Sequence, residues 1–231
     1  MILVQKRVIK HLEELRSRIV FVVTFLILFF ILGTLLSPVI IKRIIKDMSI
    51  NGVQLVSLSP LEFIYTQIKI GLIIGFALTF PLLVYHAARF IKPGLRKKET
   101  ALLRTILPAT ILLFVLGLVF SYFIFLKISV GFLANLSNIA GISNTWSVER
   151  FIGFIVGVCF FIGLIFEFPL VMWVLGRLGL IRASALKKKR AHTYVGVFIL
   201  AAILTPPDAV TQILMAVPLI ILFEISLLFV K

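Results

Sequence analysis

Two adjacent carboxylates, Glu13 and Glu14, stand in His11-Leu12-Glu13-Glu14-Leu15-Arg16-Ser17-Arg18, just before a long apolar run that begins at Ile19. An acidic point among basic residues at the mouth of an apolar segment suits a cationic partner rather than a lipid phosphate. A further carboxylate, Glu99, follows Phe90-Ile91-Lys92-Pro93-Gly94-Leu95-Arg96-Lys97-Lys98, in which Pro93-Gly94 predicts a turn. Two such carboxylates near one membrane face would match two guanidinium groups, because each arginine engages a carboxylate through two parallel N–H donors, whereas lysine is a point charge. The plainer reading of either residue alone is a solvated i,i+4 pair, such as Glu14 with Arg18.

Glu167 is a different kind of carboxylate. Apolar residues and glycines fill 156–166 before it, and Pro169 follows two residues later. An ionisable group inside a bilayer costs about 3 kcal/mol on insertion scales, so it should face a bundle interior or a polar cavity. Pro169 removes one backbone donor and frees a carbonyl a turn earlier. Gly153 and Gly157 have the spacing of a close helix approach. Glu224 lies near the end of the last apolar run and could reach the interface, and Lys69 could pair with Glu62 or extend to the outer surface.

Enzymatic chemistry finds no footing. There is no HExxH, no GxSG-type elbow and no glycine-rich phosphate loop. His11, His86 and His192 sit near different apolar boundaries, with no nucleophile to serve. Cys159 is the single cysteine, so no intrachain disulfide and no Cys/His metal cluster is expected, and no cofactor is implied.

The elements that position these residues follow from composition. Of 231 residues 61% are hydrophobic and 14% charged, and mean hydropathy is +1.18. That is a polytopic membrane protein. Its first apolar run is too long for a cleavable leader, and no small-residue cleavage site follows it. The fold class expected is all-α, a single helical domain over 1–231 with six transmembrane helices. Their approximate ranges are 19–41, 63–91, 102–126, 151–176, 192–205 and 209–228, the last two short. Side by side, those two could thin the bilayer locally.

The net charge of +15 would raise nucleic acid as a partner in a soluble protein. Here basic loops orienting helices explain it, and no nucleic acid is expected. Eighteen of the 24 Lys and Arg residues fall in the N-terminal tail, the second and fourth loops and the C-terminus. The positive-inside rule puts those segments and both termini in the cytosol. Outer loops one (about 42–62) and three (about 127–150) are long and weakly charged, and read either as short helical caps or as packing loops. Loop five is tight: Pro206 and Pro207 end the fifth helix and Asp208 can cap the sixth.

Taken in order, these segments resemble the TatC family, the multi-spanning core of twin-arginine protein translocases. His11-Leu12-x-Glu14-Leu15-Arg16-x-Arg18 resembles its N-terminal signature, and Ser59-Pro60-Leu61-Glu62-Phe63 its outer-loop motif. Phe90-Ile91-x-Pro93-Gly94-Leu95 with Glu99 is similar to its first cytosolic loop. Phe166-Glu167-x-Pro169 resembles the fourth-span motif, and Thr205-Pro206-Pro207-Asp208 with Gln212, Pro218 and Glu224 the last hairpin.

The resemblance implies a receptor and scaffold in the bacterial inner membrane, not an enzyme. Its cytosolic face would bind signal peptides with paired arginines on folded precursors. Glu14 and Glu99 would contact the arginines, with Leu12, Arg16, Phe90, Pro93 and Leu95 shaping the site. Glu167, Gln212 and Glu224 would form an intramembrane polar site for TatA- and TatB-type single-span partners, with transport driven by the proton-motive force. Contact with anionic membrane lipids through Lys187–Arg190, and self-association, are compatible with this reading. A proton-coupled secondary transporter would also use a buried carboxylate, but six unequal spans without an evident repeat do not suit it. A purely structural scaffold would give Glu14 and Glu99 no defined ligand.

Overall fold

The computed structural model describes residues 2–48, 53–91, 102–139, 143–177 and 183–229, with residues 141, 179 and 181 between them. The chain runs α1 (Ile2–Asp47), β1 (Val53–Val56), α2 (Glu62–Ile91), α3 (Leu102–Phe120), a π-helical turn (Ser121–Phe125), α4 (Leu126–Ile139) and β2 (Asn144–Ser147). It continues through α5 (Val148–Phe166), α6 (Phe168–Arg177), α7 (Ala183–Lys188), α8 (Arg190–Leu204) and α9 (Ala209–Phe229). Five stretches are long and apolar enough to cross a membrane: Leu12–Asp47, Glu62–Ala87, Thr105–Ile139, Val148–Arg177 and Ala209–Phe229. The expected fifth span is the shorter α8, whose 15 residues rise about 22 Å, less than a hydrocarbon core of about 30 Å.

The all-α expectation is corrected at one place. β1 and β2 form a parallel pair, in register from Val53 opposite Asn144 to Val56 opposite Ser147. Outer loops one and three are therefore joined by backbone hydrogen bonds, and loop three begins as helix, since α3 runs through the π turn into α4 without a break.

Small residues set how the helices meet. α1 packs along α2 more extensively than any other pair does. A Cβ on Gly71 would lie 2.1 Å from Thr34 Oγ1 and 2.9 Å from the Phe30 carbonyl, so only hydrogen lets the two backbones come this close. Pro38, inside α1, has no N–H for the Thr34 carbonyl; the Ser37 hydroxyl donates to that carbonyl at 2.7 Å and restores the missing bond.

α3 and α5 cross at Gly117 and Gly163, where a Cβ on Gly117 would stand 2.8 Å from Gly163 Cα. The expected approach through Gly153 and Gly157 is not the one made: a Cβ on Gly157 would have nothing within 4 Å and one on Gly153 would meet only the Lys69 side chain. The π turn aims Tyr122 at α1, where its hydroxyl donates to Asp47 Oδ2 at 2.9 Å. Phe125, Leu126, Ile152, Ile155 and Met215 are among the most deeply buried side chains of the core between α1, α5 and α9.

Candidate functional site

At the N-terminal end of α1, Leu12, Glu13 and Arg16 are exposed and Glu14 is half-buried. Arg18, one turn on, donates to Glu14 Oε1 from Nε at 3.2 Å and from Nη2 at 2.5 Å. The Arg18 side chain is only 15% exposed, so this ion pair lies against the helix surface rather than in open water. Glu99, Pro93 and Leu95 lie outside the described residues, as does the side chain of Phe90. Between α1 and α2, directly beside the Glu14–Arg18 pair, an apolar groove of about 320 Å³ opens, which the sequence did not announce.

Glu167 breaks the long fourth apolar stretch into α5 and α6. It is 4% exposed, and its Oε1 has no hydrogen-bond partner. The buried hydroxyl of Thr110 and the backbone of Phe114, both on α3, stand beside the carboxyl. The Phe166 ring packs on Phe120 at 5.5 Å, and Phe168 on Phe223 of α9 at 6.3 Å, so the break is held from both sides by aromatic contacts. A buried carboxyl oxygen without a well-formed hydrogen bond is costly in this setting, and a stronger donor on an incoming helix would relieve it.

Of the expected polar site of Glu167, Gln212 and Glu224, the last two are bonded to α8. Gln212 Nε2 donates to the Phe198 carbonyl of α8 at 3.1 Å. Glu224 accepts from Arg190 Nη2 at 2.6 Å and from Tyr194 Oη at 2.7 Å, both on α8. These two residues lie about 18 Å apart along α9 and tie it to α8 at both ends. The reason is topological: the tight turn forces α8 and α9 side by side, so polar groups on one meet the other first.

That turn is built as its residues dictate. Thr205 closes α8 by donating from its backbone N–H and its hydroxyl to the Ala201 carbonyl, each at 2.9 Å. Pro206 and Pro207 then stop the helix. Asp208 accepts the Thr211 N–H at 2.7 Å and caps α9. Asp208→Ala should cost about 1 kcal/mol, read as a small fall in the melting midpoint of the purified protein.

On the strand face, Glu62 joins the two loops that carry β1 and β2. It is 4% exposed and accepts from the Leu58 N–H at 2.5 Å, from the Ser147 hydroxyl and from the Glu149 N–H at 3.2 Å. Ser147 in turn accepts from the Arg150 N–H at 3.2 Å and caps α5. Lys69 pairs with Glu149 and not with Glu62, whose two oxygens are already taken. Among the described residues no cluster of His, Cys, Asp and Glu could hold a metal.

These features coincide with known proteins along nearly the whole chain. Residues 10–218 match the family model of the Sec-independent protein translocase protein TatC. The TatC of Aquifex aeolicus is 36% identical over 94% of this chain and 92% of its own length. TatCy of Bacillus subtilis is 31% identical over 98% and 89%. A crystal structure of the twin arginine translocase receptor TatC in DDM superposes with a TM-score of 0.86 at 33% identity, covering 96% of this chain and 99% of that one. The chain, with its apolar spans and its length matched almost throughout, belongs to the TatC family of protein translocase components.

Proposed function

We propose that the chain is the receptor and core subunit of a twin-arginine translocase. It binds paired-arginine signal peptides at its Glu14 face, which is cytosolic, as are both termini. It has six spans, α8 being the short fifth, and acts as one domain that organises TatA- and TatB-type partners for export driven by the proton-motive force. The observation that carries the reading is Glu14. In a chain of net charge +15 it holds a carboxylate at the head of an apolar helix in contact with a guanidinium, which is the chemistry an arriving arginine requires. Glu99 is the second carboxylate of the site, with Phe90, Pro93 and Leu95 around it, and the buried Glu167 is the contact for a partner helix.

The test is binding of a labelled signal peptide to the purified protein in nanodiscs. The arginine pair should bind about tenfold more tightly than a lysine pair, the worth of a lost bidentate charge-assisted contact. Glu14→Ala and Glu99→Ala should each remove the preference. Equal binding of both peptides by all variants would reduce the interaction to bulk charge and end the receptor reading.

A further inference from the structure

The groove beside Glu14 has a shape and position that the receptor reading does not use. Leu15, Ile19 and Val22 form its α1 wall, and Leu83 and Ala87 its α2 wall. Arg18 belongs to both features at once: its stem lines the groove while its guanidinium holds Glu14. His86 also faces the groove, and its Nδ1 is buried without a hydrogen-bond partner. From Glu14 to Val23 the helix rises about 13 Å, so the apolar walls continue from the carboxylate toward the bilayer interior.

We propose that this groove is a second subsite of the receptor, taking the apolar side chains that follow the paired arginines while Arg18 yields Glu14 to the incoming guanidinium. The proposal rests on the receptor reading above. Charge selects the occupant. A phospholipid would bring its phosphate toward Arg18 and leave Glu14 facing an anion. A wholly apolar partner helix would offer Glu14 no donor. A ligand that presents a guanidinium and then continues as an apolar segment satisfies both ends, and an export signal has that order of charged and apolar regions. His86 Nδ1, as an acceptor, can then take a backbone N–H of the inserted chain. The exchange of one guanidinium for another conserves the ion pair at Glu14, so arginine recognition and opening of the groove wall become one event.

The experiment uses the full-length protein in nanodiscs and two peptides sharing the arginine pair, one with its apolar segment and one with Ser and Gly in its place. Ala87→Trp fills the groove. It should weaken the apolar peptide about tenfold, the effect of returning one leucine-sized side chain to water, and leave the Ser/Gly peptide unchanged. Glu14→Gln should weaken both. A benzophenone-bearing residue early in the apolar segment should cross-link the unaltered protein within 15–23 and 83–87, which decides the matter even if the Trp variant folds poorly. Cross-links elsewhere, or an Ala87→Trp protein that binds the apolar peptide normally, would overturn the subsite and assign the groove to lipid or to a partner helix. Loss of arginine-over-lysine preference in the unaltered protein would instead remove the receptor reading, and the subsite with it.

Discussion

Purified Gly117→Val protein should melt roughly 6–12 °C below the unaltered chain, the size expected for about 3 kcal/mol of overpacking in a protein of this length. The argument is geometric. A Cβ at position 117 meets Gly163 Cα at 2.8 Å and the Phe166 side chain at 3.0 Å. The first of these is backbone and cannot rotate away, so α3 and α5 must separate along their whole crossing. In doing so they loosen Phe114 against Gly163 and Phe120 against Phe166. Gly157→Val on α5, the other helix of the crossing, is the control, since a Cβ there meets nothing within 4 Å. Equal losses at 117 and 157 would show that valine's helix propensity, not the crossing, was being measured.

The second large effect concerns Glu62. Its Oε1 serves the Ser147 hydroxyl and the Glu149 N–H, and its Oε2 serves the Leu58 N–H. Glu62→Ala removes the shared acceptor of all three donors, one of them the buried Ser147 hydroxyl, and each donor that water does not reach carries a desolvation penalty. Its melting midpoint should fall by roughly 10 °C. Glu62→Gln should fall about half as far. Its single oxygen can keep the pair at Ser147 and Glu149, while its amide meets the Leu58 N–H donor to donor. Thermal unfolding of the three proteins in one detergent would rank them unaltered, Gln, Ala. A Gln variant no better than Ala would mean that charge, rather than the count of acceptors, holds the strand face together.

The apolar stretches were legible because hydrophobicity over twenty residues is a strong signal in a chain with few charges, and α8 and α9 meet at the turn where Pro206, Pro207 and Asp208 put it, whereas the break between α5 and α6 and the short α7 carried no such signal. Asp208 could be read as a cap because a carboxylate directly after two prolines has few other uses. The strand pair was hidden. Four-residue strands separated by about ninety positions carry no periodicity of their own, and nothing in Val53–Val56 names Asn144–Ser147 as its mate. The glycine crossing was missed because spacing shows where a close approach is affordable, not which helix arrives: Gly153 and Gly157 have the pattern, yet Gly117 and Gly163 make the contact. Gln212 and Glu224 looked like companions of Glu167 because all three are polar in apolar surroundings. Their bonds to α8 depend on how α8 and α9 lie together, which the sequence does not encode locally. Glu14 was visible; its clamp by Arg18 was visible only as the ordinary helical pair it resembles.

The strand pair also sets an order of events during synthesis. α1 and α2 can close on each other as soon as both are made, because Gly71, Thr34 and Phe30 lie within that hairpin. β1 then waits with an open edge. Its partner follows only after α3, the π turn and α4, and Glu62 has only the local Leu58 N–H on Oε2 until Ser147 and Glu149 bring their donors to Oε1. Until residues 144–149 arrive, the chain therefore carries an open strand edge and a carboxylate with one oxygen still to be served, the kind of exposed edge that invites wrong pairing.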